Sequence, residues 1–119
     1  MAEIRIEKDN LVVELSLAEK AESIHGDLTI PLPAITKVEI LDNPFSHLRG
    51  IRVIGTSIPK VVAVGTWVGV GHKSFVALHG HQNALQISLD EQSYDELIIG
   101  TDDPEATSLI ISQARKEKR

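Results

Sequence analysis

Between Leu48 and Phe75 the sequence repeats one pattern, in which short runs of Val and Ile are cut by glycine every few residues, as in Arg49-Gly50-Ile51, Gly55-Thr56, Gly65-Thr66-Trp67 and Gly69-Val70-Gly71. β-Branched runs favour strands, and glycine inside such a run marks a bulge or a sharp bend in a twisted sheet. One acid-capped helix follows near the C-terminus. The pattern predicts a mainly β fold: a strongly bent antiparallel sheet or barrel of about seven strands, capped by one C-terminal α-helix.

With 119 residues the chain supports one domain, residues 1–119, because a chain of this size buries roughly two-thirds of its unfolded surface around a single core. Aromatic residues are only 3% of the total, so Val, Ile, Leu and Ala must fill that core. Acidic residues outnumber basic ones, 17 to 12, for a net charge of -5. Four of the cations, Arg115, Lys116, Lys118 and Arg119, crowd the last five positions, and residues 114–119 are expected to fray as a basic tail. An acidic body repels nucleic acid and anionic lipid, so neither is an expected partner. Without cysteine there is no disulfide, thiolate nucleophile or cysteine metal site. The first residues do not read as a charged-then-apolar leader, and no run approaches the ~20 apolar residues that span a bilayer. A soluble, cytoplasmic protein is the expectation.

Ile4 and Ile6 alternate with acids and Arg5, Lys8-Asp9-Asn10 makes a turn, and Leu11, Val13, Leu15 and Leu17 alternate again, which reads as a half-buried hairpin. Ser16 with Glu19 forms a capping-box signature, so a short helix is expected over 17–24, with Leu17, Ala21 and Ile24 on its apolar face. Leu28 and Ile30 make a brief strand ended by Pro31 and Pro33, and Val38 with Ile40 the next. Residues 51–54, 58–70, 75–79, 85–89 and 97–99 supply the remaining strands. Near the end, Asp103 is placed to N-cap a helix with Pro104 at its first position, and Ala106, Leu109, Ile110 and Ala114 form an apolar stripe that must lie on the sheet.

The order of short strands and one terminal helix resembles the pleckstrin-homology-like barrel. Ile35-Thr36-Lys37-Val38, Arg49-Gly50-Ile51-Arg52, Gly55-Thr56, Pro59, Gly65-Thr66-Trp67, Lys73-Ser74-Phe75 and Asp102-Asp103-Pro104-Glu105 are similar to a group of bacterial pleckstrin-homology-like proteins. The likeness spans most of the chain but rests on glycines, turns and core positions, so it implies a fold far more than an activity. Relatives in fold that grip phosphoinositides use a basic loop between the first two strands. Here that loop is Lys8-Asp9-Asn10, with one cation, and phosphoinositide membrane binding is not expected.

Candidate site residues are few. Gly69-Val70-Gly71 before His72 and Lys73 offers amides and donors to an anion, yet it opens no helix, and a bulge or hairpin turn explains it as well. His79 and His81 share a side if the strand continues, but a metal needs a third ligand, with His25, His47 or Asp90 as candidates, and Gly80 favours a turn. Trp67 and Arg49 complete the ligand-binding set of Arg49, Trp67, His72, Lys73, His79 and His81, with core packing or a solvated face as the plainer reading of each. Asp90-Glu91 and Asp102-Asp103 read as a turn and a helix cap. No catalytic residue, metal site or cofactor is assigned, because no pair has both the type and the spacing that a reaction needs. The expected function is a non-enzymatic module that recognises a protein or peptide, or associates with itself, through a sheet edge. Small-ligand or metal binding at one end of the barrel is the alternative.

Overall fold

The computed structural model describes residues 2–80 and 83–117, the last of these by its backbone alone. Nine strands and two helices make up the described chain: β1 (Glu3–Glu7), β2 (Asn10–Glu14), α1 (Leu17–Ser23), β3 (Leu28–Pro31), β4 (Ile35–Leu41), β5 (Ile51–Ile58), β6 (Val62–Gly69), β7 (His72–His79), β8 (Ala84–Leu89), β9 (Glu96–Gly100) and α2 (Pro104–Glu117). Short 3-10 turns cover Leu32–Ala34 and Pro44–His47.

The strands form two sheets. One is antiparallel, in the order β1-β2-β3, and the other has six strands in the order β4-β8-β9-β7-β6-β5. All neighbours run antiparallel except β7 and β9, which pair in parallel from Ser74↔Glu96 to Ala77↔Ile99. The expected single antiparallel barrel of about seven strands is thus replaced by a mainly β, two-sheet architecture with no closed barrel among the described residues. The nine strands correspond to the nine apolar runs of the sequence, but they divide between two sheets, with β9 inserted between β8 and β7.

The core lies between the sheets, where Leu11, Val13, Ile30, Phe75, Leu85, Ile87, Leu97 and Ile99 are joined by Ile111 and Ala114 of α2. α2 packs against β1 of the small sheet and β4 and β8 of the large one, which closes the seam between them. The opposite face of the large sheet carries a second cluster, Leu41, Ala63, Trp67, Val76, Leu78, Ala84 and Ile98, covered by Phe45 and Leu48.

Both helix starts follow their sequence signals. Ser16 and Glu19 form the complete capping box of α1, and the Ala106 N–H donates to Asp103 Oδ1 at 3.1 Å. Their apolar faces differ from expectation. On α1, Leu17 and Ile24 are exposed while Glu19 and Ser23 are buried, because His79 on β7 meets Glu19 and Glu22 and turns the polar face inward. On α2, Ile111, Ala114 and Pro104 are buried whereas Ala106, Leu109 and Ile110 face outward, a rotation that brings the i, i+7 pair 104 and 111 onto the strands. Residues 114–117, expected to fray, continue the helix, with Ala114 buried in the core; Lys118 and Arg119 lie outside the described residues.

Glycine is required where β5 and β6 approach each other most closely. Gly55 and Gly65 face each other across β5 and β6, both with positive φ, and a Cβ on either would fall on a backbone carbonyl, that of Val64 or Ile54 respectively. The close approach bends the strand pair, as the glycine pattern predicts.

The α2 orientation is testable by urea denaturation. Ile111→Ala is expected to lower stability by about 2–5 kcal/mol, whereas Ile110→Ala stays within about 0.5 kcal/mol. Equal losses would return the helix to the predicted stripe.

Candidate functional site

Alternation along β7 sends His72 and Ser74 to the outer face of the large sheet and Lys73, Phe75 and His79 to the inner one. On the outer face, β9 brings Glu96 beside Ser74. Glu96 is only 2% exposed. Its carboxylate accepts bonds from His72 Nε2 at 2.9 Å, Ser74 Oγ at 2.7 Å and Gln86 Nε2 at 2.6 Å, and Arg49 Nη2 stands 3.7 Å away. Burial pushes the Glu96 carboxyl up, but the bonds from His72, Ser74 and Gln86 and the nearby imidazole outweigh it and hold the group below the ordinary glutamate value.

The set contains a hydroxyl, an imidazole and a carboxylate without the order of a proton relay. Ser74 Oγ lies 3.0 Å from His72 Nε2, the same nitrogen that meets Glu96. A relay places the imidazole between hydroxyl and carboxylate, one nitrogen for each. Here Nε2–H donates a hydrogen bond to Glu96, and Ser74, itself buried, donates to the same carboxylate oxygen. The arrangement holds an ionised carboxylate in place.

Of the predicted residues, Arg49 and His72 converge on Glu96. Trp67, opposite Ser74 in register, is buried on the same face among apolar neighbours. Lys73 lies on the other face, its ammonium 4.9 Å from the centre of the Tyr94 ring. His79 sits at the far end of β7, where Nε2 is 2.9 Å from Glu22 Oε1 and Nδ1 is 3.5 Å from buried Glu19. His81 lies outside the described residues. The glycine loop is a two-residue hairpin turn, with Gly69 paired to His72 and Gly71 at positive φ. Among the described residues no three histidine or carboxylate side chains are grouped to hold a metal ion.

Two cavities flank β5. The first, about 360 Å³, opens on the inner face between Ile24, Val53, Ile54 and Val68, with Lys73, Thr66 and Tyr94 as its polar wall. Thr66 Oγ1 and Tyr94 Oη are 2.9 Å apart, and Tyr94 packs with Phe75 and His25 at ring distances of 5.6 and 5.9 Å. The second, about 340 Å³, lies between the Pro44–His47 turn and the end of β5, lined by Asn43, Phe45, Leu48, Ser57, Pro59 and Lys60.

Sequence reasoning misses Glu96, Ser74, Gln86, Thr66 and Tyr94. One cue is present: in Glu96-Leu97-Ile98-Ile99 a period of two puts Glu96 on the face of Ile98, so an acid shares a side with a core residue.

Because the folded Glu96 pKa is depressed, the stability it supplies is complete above the ordinary glutamate range and is lost as pH falls through the lowered folded value. The urea midpoint of the wild type should drop between about pH 5 and about pH 3, and Glu96→Gln should flatten that drop. An unchanged slope in the variant would show that the network contributes nothing to acid sensitivity.

Comparison with models of known protein families, with curated proteins and with solved structures found no match.

Proposed function

We propose that this protein is a non-enzymatic interaction module that takes up an extended protein segment along the free edge of β5. One observation carries the reading: among the described residues, β5 alone of the four edge strands is long, apolar and nearly free of charge, its bulge and bend being the features that keep it from flat pairing. β1 shows Glu3, Arg5 and Glu7 along its length, with Arg5 paired to Glu7 and Glu14. β3 has four residues and ends in Pro31. β4 bears Lys37 and Glu39 and a bulge, and α2 lies against it with Arg115 donating to the Thr36 carbonyl at 3.5 Å. β5 runs for eight residues with Ile51 72% and Val53 57% exposed, Ile54 and Ile58 also open, and only Arg52 charged.

Such an edge offers a row of backbone donors and acceptors to an incoming strand, and proteins otherwise block it. Strand addition gains affinity from the main chain and selectivity from pockets for alternate side chains. The cavities beside Val53 and Ile54 on one face and beside Ser57 on the other stand where those side chains would enter. Membership of the bacterial pleckstrin-homology-like group belongs to the same proposal. A bent mainly β body closed by a C-terminal helix supports it, and the parallel β7–β9 pair is the feature it must accommodate. A cytoplasmic setting belongs there as well. So does a protein partner in preference to nucleic acid or phosphoinositide, supported by the acidic composition and the single cation of the first loop; no helix among the described residues is long and apolar enough to cross a membrane.

A second reading, a small ligand in the inner cavity, is favoured by the ammonium of Lys73 beside Tyr94 and the apolar opposite wall. It expects melting temperature to rise with apolar carboxylates and the rise to vanish in Lys73→Ala. A flat thermal-shift screen would dispose of it.

The edge reading is tested with Ile54→Glu, a carboxylate placed on the exposed strand. The wild type should retain a protein partner or form a defined oligomer by native mass spectrometry, and the variant should lose it while melting within about 4 °C of the wild type. A wild type that is strictly monomeric, retains nothing from cell extract and matches the variant would remove the reading.

A further inference from the structure

We infer that the segment accepted by β5 is acidic, an extended peptide in which apolar residues alternate with Asp or Glu. The inference rests on the reading of β5 as a docking edge and names what that edge selects. Every acidic residue of the chain lies at or before Asp42 or at or after Asp90. Residues 43–89, which form β5, β6, β7 and β8, contain none, yet they hold Arg49, Arg52, Lys60 and Lys73. A protein of net charge -5 thus presents an acid-free segment at its one open edge.

These cations are unneutralised where it matters. Arg49 has Glu96 at 3.7 Å, but among the described residues Arg52, Lys60 and the Lys73 ammonium form no ion pair. The nearby Asp95 carboxylate accepts the backbone N–H of Lys73 at 2.8 Å. Each cavity beside β5 is lined by one lysine and no carboxylate: Lys73 on the inner face, Lys60 on the outer. Apolar wall plus single ammonium suits an aliphatic side chain next to an acid.

The placement also sets a spacing. The cavities meet β5 at Val53–Ile54 and at Ser57–Pro59, about five strand positions apart and on opposite faces. Side chains that reach both must sit at positions that differ by an odd number. A second copy pairing β5 with β5 would bring no acid to these cations, since residues 43–89 have none, and in the antiparallel register centred on Thr56 it would set Arg52 opposite Lys60, where like charges are destabilising.

The test is selection from a yeast-displayed library of random twelve-residue peptides on the full-length protein. Enriched peptides should alternate apolar residues with Asp or Glu at odd spacing. By fluorescence anisotropy, Lys60→Glu with Lys73→Glu should weaken a selected peptide about ten-fold or more and strengthen its Lys-for-Glu counterpart, with melting temperature unchanged. Binding should weaken between about 50 and about 300 mM salt. Peptides enriched without acids but released by Ile54→Glu would overturn the inference and leave the docking edge standing. A dimer by sedimentation that excludes the peptides, or competition by a twelve-nucleotide DNA strand, would overturn it in favour of a second copy or of nucleic acid. No enriched peptide together with no association of any kind would remove both.

Discussion

β9 is the strand on which the rest of the molecule depends. Its five residues, Glu96–Gly100, are all buried, between a parallel neighbour, β7, and an antiparallel one, β8. Leu97 and Ile99 enter the core between the sheets while Glu96 and Ile98 face the other side. A slip of one residue would exchange those faces and carry an ionised carboxylate into an aliphatic interior. That transfer costs far more than a hydrogen bond returns. His72 and Ser74 on one flank and Gln86 on the other therefore fix register as firmly as the apolar pattern does, since each donates to Glu96 only when β7, β8 and β9 are aligned.

This insertion decides which edge is left open. With β9 between β8 and β7, the β5-β6-β7 meander is displaced to one side of the sheet, and α2, which also packs on β1, meets the large sheet chiefly at β4 and β8. α1 covers part of the displaced meander, held by His79 with Glu19 and Glu22 and by the Thr56 hydroxyl donating to the Glu22 carbonyl at 3.2 Å. Its short length stops beside the inner cavity, which Ser23, Ile24 and His25 help to line. The cavity is thus a consequence of a seven-residue helix laid on an eight-residue strand pair.

Local chemistry was legible in the sequence and long-range pairing was not. The hairpin of β1 and β2, both N-caps, the Gly55 and Gly65 bend and the terminal helix follow from patterns spanning a few residues. The parallel β7–β9 pair does not, because both strands read as ordinary alternating runs and nothing in either run names its neighbour. The helix faces misled for a related reason. A stripe of Leu17, Ala21 and Ile24 is a fair apolar face until His79, more than fifty residues on, offers the acids of α1 a partner. At the candidate site, Arg49 and His72 were legible as donors near strand ends, whereas their meeting point, Glu96, arrives only through the sheet order.

An apolar edge survives in solution only if it resists flat pairing with copies of itself. β5 carries two such features, the bulge between Arg52 and Ile54 and the close bend at Gly55, both of which twist the strand away from a straight partner. The other candidate surface on a second copy is β1, whose acids alternate with Ile4 and Ile6. Its Arg5 already engages Glu7 and Glu14, and its isoleucines are turned to the core, so it offers neither those acids nor an apolar face to a partner. Head-to-tail pairing of β5 with β1 would also leave the same two edges free at the ends and propagate as an open chain. A partner that follows the bend, ends after one strand and brings negative charge meets neither obstacle. Twist, single-strand length and acidity then act together as the selectivity of the edge, and none of the three requires a deep pocket.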